Sequence, residues 1–96
     1  MSTKRELLEQ LRSYGFPKKT PVTQKNLQRF IKERSKIAYR YTPEFRHKVH
    51  EDGSHTWVIK CTPRATIIES ASTSHMAHLT ATVHACAVTT DPNLTR

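Results

Sequence analysis

The residues of this sequence most able to do chemistry are lysines and arginines, and they are concentrated in the first half of the chain. Residues 1–50 hold 13 Lys and Arg against 4 Asp and Glu, whereas residues 51–96 hold 3 against 4. The net charge of the whole chain is +8. A basic half beside a near-neutral half indicates a surface that binds a polyanion such as nucleic acid. The alternative is that the lysines only keep a weakly hydrophobic chain soluble.

The candidate contact residues lie in a proline-bounded loop and on the helix predicted after it. Lysine and arginine bind phosphate oxygens, and such contacts carry little sequence information. A helix that begins after Thr23 also offers free backbone amides to an anion. Tyr41 is the aromatic residue predicted to stay exposed, where it can stack on an unpaired base. The predicted nucleic-acid-binding residues are Lys18, Lys19, Lys25, Arg29, Lys32, Lys36, Arg40 and Tyr41.

Six histidines raise the question of a metal site. His47 and His50 are three residues apart, as are His75 and His78, and zinc ligands use this spacing. On a strand, however, residues i and i+3 point to opposite faces, so these pairs would converge only in turns. The sequence therefore favours histidines at the surface, with no metal and no other cofactor. A zinc site is the alternative.

The two cysteines, Cys61 and Cys86, are too few and too far apart for a zinc finger. His84 and Cys86 would share one face of a strand. In a reducing compartment, two buried thiols are favoured over a disulfide. Nucleophilic catalysis would need a thiol beside a histidine and an orienting acid, and no spacing singles out such a set. With two glycines there is no Gly-rich phosphate loop either. The sequence predicts a protein that is not an enzyme.

Two helices are predicted to position the cations. Ser2 or Thr3 can cap a first helix, which Gly15 then ends. The loop of residues 16–22 contains two prolines and cannot be helical. Thr23 is a good N-cap for a second helix over residues 24–39, whose apolar residues follow a 3.6 period with cations on the outer face. The extended loop would let the two helices pack side by side while its lysines stand out.

The hydrophobic period changes from 3.6 to 2 after residue 43. Residues 45–50 and 55–61 predict a β-hairpin, because the Asp52-Gly53 pair between them favours positive φ at both central positions. Trp57, Ile59 and Cys61 would share one strand face, with Val58 and Lys60 on the other.

The second half of the chain is predicted to continue as strands. Residues 64–72 predict a third strand, and the alternation of small and β-branched residues over 76–88 predicts a long fourth strand. The alternatives are a helix over 76–88, since this stretch is rich in alanine, and disorder over residues 62–96.

Together these elements predict an α+β fold, in which a two-helix motif precedes a small antiparallel β-sheet. Residues 1–40 would form a basic helical hairpin. Residues 41–90 would form a β-rich part that packs on the hairpin or self-associates as a homo-dimer. Residues 91–96 would form a flexible tail.

The segment "ELLEQLRSYGFPKKTPVTQKNLQRFIKER" resembles the LEM domain and the related SAP helix–extended–helix motif over residues 4–34. In LEM domains the loop and the start of the second helix contact a DNA-bridging chromatin protein, barrier-to-autointegration factor. SAP-like relatives contact DNA directly through a basic second helix and the loop before it, and the lysines of this segment suit that version better. The residues that carry the resemblance are Leu7, Leu11, Tyr14, Gly15, Pro17, Pro21, Val22 and Phe30.

The sequence as a whole predicts a small, basic, non-enzymatic protein that binds DNA or RNA through phosphates in an architectural, regulatory or viral accessory role. The alternative is a LEM-like protein-interaction module that binds a chromatin-associated protein. Its C-terminal part would be an oligomerisation element or a disordered tail. The chain has no run of about 18 apolar residues, and its N-terminus lacks the apolar core of a signal peptide. We therefore expect an intracellular protein, nuclear or cytoplasmic, that is not bound to a membrane.

Overall fold

The computed structural model describes residues 3–90. Three strands form one antiparallel sheet in the order β1-β2-β3, so the predicted α+β class is confirmed. Within residues 3–90, no helix has the length and apolar character needed to cross a membrane. The predicted tail, residues 91–96, lies outside the described residues. The elements in chain order are α1 (Lys4–Ser13), α2 (Gln24–Tyr39), β1 (Glu44–Val49), β2 (His55–Thr62), β3 (Ala65–Ala71) and α3 (Ser74–Val88).

Helix α1 begins and ends where the sequence predicts. The Thr3 hydroxyl accepts a hydrogen bond from the amide of Glu6 at 3.2 Å, which satisfies one of the free amides at the helix start. Gly15 follows the helix with a φ of 107°, and its amide donates to the carbonyl of Arg12 at 2.9 Å. Positive φ costs glycine little because it has no Cβ. Leu7 and Leu11 form the buried face of the helix.

Helix α2 also matches its predicted bounds. The Thr23 hydroxyl accepts from the amide of Asn26 at 3.2 Å, as the predicted N-cap requires. Leu27, Ile31 and Ser35 are buried at positions i, i+4 and i+8. This spacing puts one narrow face of the helix into the core and leaves the opposite face to solvent.

Arg40 ends α2 in the left-handed region, with a φ of 52°. Its amide donates to the carbonyl of Lys36 at 3.0 Å, and the amide of Tyr41 donates to that of Ser35 at 3.3 Å. A residue with a Cβ is destabilised by about 1 kcal/mol in this conformation.

We therefore expect Arg40→Gly to raise the free energy of unfolding by about 0.5 to 1 kcal/mol. Arg40→Ala should leave it nearly unchanged in the same urea denaturation experiment. Equal gains from both variants would show that backbone strain is not the cause.

The β1–β2 hairpin forms where the sequence predicts it, but its turn differs. The His50 amide donates to the carbonyl of Ser54 at 2.9 Å, and the Gly53 amide donates to that of His50 at 3.0 Å. Gly53 has a φ of 85°, whereas Asp52 has no positive φ, so the prediction for both central positions is wrong. The turn is a three-residue loop that ends in a left-handed glycine. The Asp52 carboxylate accepts from the Ser54 amide at 2.9 Å and fixes the loop.

The sheet has one buried and one open face. Trp57, Ile59 and Cys61 are buried on the inner face, whereas Val58 and Lys60 lie on the outer face, as predicted. Helix α3 packs on the inner side of β2 and β3, and α2 contacts β2. On β1 and β3, the alternate residues that share the outer face are exposed.

Residues 74–88 form a helix, so the long strand predicted over residues 76–88 is wrong. The N-cap of this helix is Thr73, whose hydroxyl accepts from the Met76 amide at 3.1 Å. Disorder of residues 62–90 is also wrong. A helix buried on most sides shows no polar face in its sequence, and the alternation of small residues imitates a strand. Alanine is the best helix former and favours the helical alternative. The buried residues of α3 are Ala77, His78, Leu79, Ala81, Thr82, Val83, Ala85 and Cys86.

One core joins the two halves of the chain. Helix α3 contacts α1 and α2 as well as the sheet, and α1 makes its main helix contacts with α3. The prediction that the first two helices pack side by side is therefore wrong. Cys61 and Cys86 are free and buried, as predicted. The largest fully buried side chains include Leu7, Leu11, Leu27, Ile31, Ile59 and Leu79.

Arg34 of α2 joins the ends of α1 and α3. Its guanidinium donates to the carbonyls of Tyr14 at 3.2 Å and Cys86 at 3.0 Å, and to the Thr89 hydroxyl at 3.2 Å. It also lies 5.3 Å from the ring centre of Tyr14 and 5.7 Å from that of Phe30. This cation therefore stabilises helix packing and does not belong to the exposed basic face.

Candidate nucleic-acid interface

Four of the predicted contact residues form one row along α2, here called the basic stripe: Lys25, Arg29, Lys32 and Lys36. All four are exposed. Their spacing of four, three and four residues keeps them within a narrow arc of a helix that has 3.6 residues per turn, and the row is about 17 Å long. The arc lies roughly opposite the buried face of α2, so the packing of the helix turns the stripe outward.

The one acidic residue on α2, Glu33, forms no ion pair with the basic stripe. Within residues 3–90 the ion pairs are Arg5–Glu9 and His84–Glu69, and neither involves the stripe. The Lys32 ammonium lies 5.9 Å from the ring centre of Phe45 on β1, so the stripe borders that strand. Unpaired cations in a row produce a positive potential that attracts phosphates.

Two amide side chains lie beside the stripe, and the sequence reasoning missed them. Gln24, Gln28 and three stripe residues line one surface depression. The Gln28 Nε2 atom lies 3.3 Å from the His78 Nε2 atom, which fixes the amide against α3. Gln24 and Gln28 lie one turn apart and within four residues of stripe members, and this helical spacing was the signal that could have identified them.

The loop lysines and the basic stripe are joined through the chain and not by a contact. Lys18 and Lys19 are exposed in a turn in which the Thr20 amide donates to the Pro17 carbonyl at 3.2 Å. The end of the loop is held to α2, because the Asn26 side-chain amide donates to the Pro21 carbonyl at 2.9 Å. The loop therefore enters at the N-terminal end of the stripe.

Arg40 and Tyr41 follow the other end of α2. Arg40 is exposed just beyond Lys36, whereas Tyr41 is half-buried, so the prediction that this ring stays exposed is only partly met. The remaining aromatic rings are occupied by the protein itself. Trp57 is 3% exposed, and Phe45 lies between Lys32 and His78. Any stacking on a base would fall to the exposed part of the Tyr41 ring.

A cluster of stacked rings fills the space between β1, β2 and α3. The His47 ring lies parallel to Trp57 at 4.6 Å, and its Nε2 atom is 2.9 Å from the Nδ1 atom of His55. Trp57 meets the His78 ring edge to face at 4.3 Å and donates from its indole nitrogen to the Ser74 hydroxyl at 3.0 Å. The prediction that the histidines lie at the surface is therefore wrong for His78, which is 1% exposed.

Burial, with a smaller effect from His75 and His47, lowers the pKa of His78 to about 4. The unfolded chain protonates this residue near pH 6.5, so between pH 6.5 and 4 the unfolded state binds the extra proton. Stability from the neutral ring is therefore complete above pH 6.5 and is lost as pH falls toward 4.

We expect the free energy of unfolding to fall by about 3 kcal/mol as the pH is lowered from 6.5 to 4, because the unfolded chain protonates His78 and the folded chain does not. Urea denaturation at a series of pH values measures the slope, and His78→Gln should flatten it. An unchanged slope in the His78→Gln variant would assign the pH dependence to other groups.

No metal-binding group is assembled in the part of the chain that the structure describes. Within residues 3–90, no three His, Cys, Asp or Glu side chains converge as ligands. His84 and Cys86 do not share a face, since His84 bonds Glu69 at 2.9 Å while Cys86 is buried. Burial raises the pKa of Cys86 to about 12 and also raises the pKa of Cys61, so both thiols stay protonated at neutral pH.

Comparison of the chain with protein-family models, curated proteins and solved structures finds no match. The functional assignment therefore depends on the geometry of the basic stripe and its surroundings.

Proposed function

We propose that this protein binds double-stranded nucleic acid through its phosphates, with the basic stripe as the main contact and no catalytic role. The observation that carries the proposal is the row of four exposed cations on α2 with no acidic partner among the described residues. Lys18, Lys19 and Arg40 would extend the contact beyond the two ends of α2. The LEM- and SAP-like character of residues 4–34 stays a prediction.

Two features favour a duplex over a single strand. Binding of single strands depends on aromatic side chains that stack on successive bases. Here Trp57 is buried and Phe45 is held between two side chains of the protein. The stripe, in contrast, follows one face of α2, a continuous helix of 16 residues. A row of cations at helical spacing suits the regularly spaced phosphates of a double helix.

The two amide side chains beside the stripe favour double-stranded RNA over DNA. The major groove of B-form DNA admits an α-helix but carries no 2′-hydroxyl groups. A-form RNA has a wide, shallow minor groove lined by 2′-hydroxyls. Gln24 can exchange hydrogen bonds with those hydroxyls while the cations contact phosphates, and Gln28, whose Nε2 atom lies against His78, can accept through its Oε1 atom.

The test is fluorescence anisotropy with labelled duplex RNA, duplex DNA and single-stranded RNA of about 20 nucleotides, longer than the roughly 16 base pairs that a small RNA-binding domain spans. If about four phosphates are neutralised, affinity should fall about 100-fold between 50 and 200 mM salt. Duplex RNA should bind most tightly. Tighter binding to single strands would contradict the duplex proposal, and equal binding to the two duplexes would remove the preference for RNA. Absence of binding at low salt would overturn the proposed function.

A further inference from the structure

The outer face of the sheet carries a second group of cations that the basic stripe does not include. The inner face is covered by α3 and α2, whereas the side chains of the outer face are half-buried or exposed. Ile68 on this face is 63% exposed, which is unusual for a large apolar side chain. The outer sheet face consists of Glu44, Arg46 and Lys48 on β1, Thr56, Val58 and Lys60 on β2, and Thr66, Ile68 and Ser70 on β3.

The register of the strands arranges these residues in three rows. The middle row is Arg46, Val58 and Ile68. On one side of it lies a row of Lys48, Thr56 and Ser70, and on the other a row of Glu44, Lys60 and Thr66. Each row thus contributes one cation, and two rows contribute hydroxyl groups.

One carboxylate, that of Glu44, accompanies the three cations of the outer sheet face. None of the ion pairs within residues 3–90 involves this face. Glu44, Arg46 and Lys60 also line a surface depression together with Val58 and Thr66. A face with cations, hydroxyls and a shallow concavity has the groups that contact phosphate oxygens and sugar.

We propose that the outer sheet face is a second phosphate-binding surface, which takes the backbone of a second nucleic acid duplex, so that one molecule bridges two duplexes. This inference depends on the proposed function of the basic stripe. The positive charge of the outer sheet face favours a nucleic acid over a second copy of this chain as the bound partner. A second copy of the chain would place Arg46, Lys48 and Lys60 against the same cations of its partner, and like charges in contact are unfavourable.

The two surfaces lie on different faces of the molecule. Leu27 and Ile31 direct one side of α2 into the core, toward α3 and the sheet, and the basic stripe lies on the other side of the helix. The outer sheet face lies on the far side of β2 from those helices, since Trp57 and Ile59 face inward while Val58 faces outward. A duplex on the stripe therefore leaves the outer sheet face open to a second duplex.

The experiment is a capture assay with the full chain. A biotinylated RNA duplex is immobilised, loaded with protein and washed, and a labelled RNA duplex of unrelated sequence is then added at about 50 mM salt, where phosphate contacts are strong. Wild-type protein should retain the labelled duplex. The variant Arg46→Gln/Lys48→Gln/Lys60→Gln should retain the immobilised duplex but lose at least about tenfold in capture of the second, since each lost phosphate contact lowers affinity. The matched control Lys4→Gln/Arg5→Gln/Arg12→Gln removes the same charge from α1 and should capture normally.

Three outcomes would overturn the inference. Wild-type protein that binds the first duplex and captures no second one would leave the proposed function intact and remove the bridging. Undiminished capture by the outer-face variant would assign bridging to self-association through other surfaces. If wild-type protein binds no duplex even at low salt, the proposed function and the inference fail together, whereas binding of the first duplex without capture of the second removes the bridging alone.

Discussion

The variant Lys25→Glu/Arg29→Glu/Lys32→Glu is expected to bind duplex RNA about 1,000-fold more weakly than the wild type near 100 mM salt. Each charge reversal removes one contact with a phosphate and adds one repulsion. The three reversals together are expected to lower the binding free energy by about 4 kcal/mol, which corresponds to a 1,000-fold change in the dissociation constant. The slope of log affinity against log salt should also decrease by about 3, since three fewer phosphates are neutralised. Anisotropy titrations at four salt concentrations measure both quantities.

The matched control for this variant is Lys4→Glu/Arg5→Glu/Arg12→Glu on α1. It changes the net charge by the same amount, and its three positions are exposed. Its affinity should fall only because the long-range electrostatic attraction of the whole protein is weaker. The slope of log affinity against log salt should therefore stay close to that of the wild type. If both variants lose affinity equally, the net charge and not the stripe would determine binding, and the interface proposed on α2 would be wrong.

Arg34→Ala is expected to lower the free energy of unfolding by roughly 3 kcal/mol. The substitution removes three hydrogen bonds from a charged group and leaves the carbonyls of Tyr14 and Cys86 without this donor. It also removes the guanidinium from the faces of the Tyr14 and Phe30 rings. Urea denaturation with two-state analysis measures the loss.

Arg34→Lys should recover little of that stability, because one ammonium group cannot reproduce the planar fork that reaches three acceptors on α1 and α3. Arg12→Ala, at an exposed position on α1, is the control and should change stability by less than about 0.5 kcal/mol. At a temperature where Arg34→Ala is folded, its affinity for duplex RNA should remain near that of the wild type. A large loss of affinity in the folded variant would place Arg34 in the interface.

The elements predicted well from the sequence are those with local signals at their ends. Helix α2 has an N-cap at Thr23 and a clear 3.6 period, and the hairpin has Gly53 at the left-handed position of its turn. Helix α3 also has an N-cap in Thr73, but the alternation of small residues over 76–88 imitates a strand. Helix α3 is buried because α1, α2 and the sheet all pack against it. The sequence of residues 74–88 does not by itself predict these contacts.

The candidate site was predictable in part for a similar reason. The basic stripe follows from helical spacing alone, which puts Lys25, Arg29, Lys32 and Lys36 on one face of any helix that contains them. The contact of Gln28 with His78 joins residues 50 positions apart in sequence, and the bond from Arg34 to the Thr89 hydroxyl joins residues 55 positions apart. Such pairs depend on how α2 and α3 pack, which composition and periodicity do not specify.

The division of α2 into a buried face and a basic stripe has a consequence for how this sequence can vary. Leu27 and Ile31 are constrained by the core, whereas substitutions on the exposed face typically change stability by less than about 0.5 kcal/mol. Selection on stability and selection on the ligand therefore act on different positions of one helix. The charge and reach of the stripe can drift or adapt by single substitutions without a compensating change in the core.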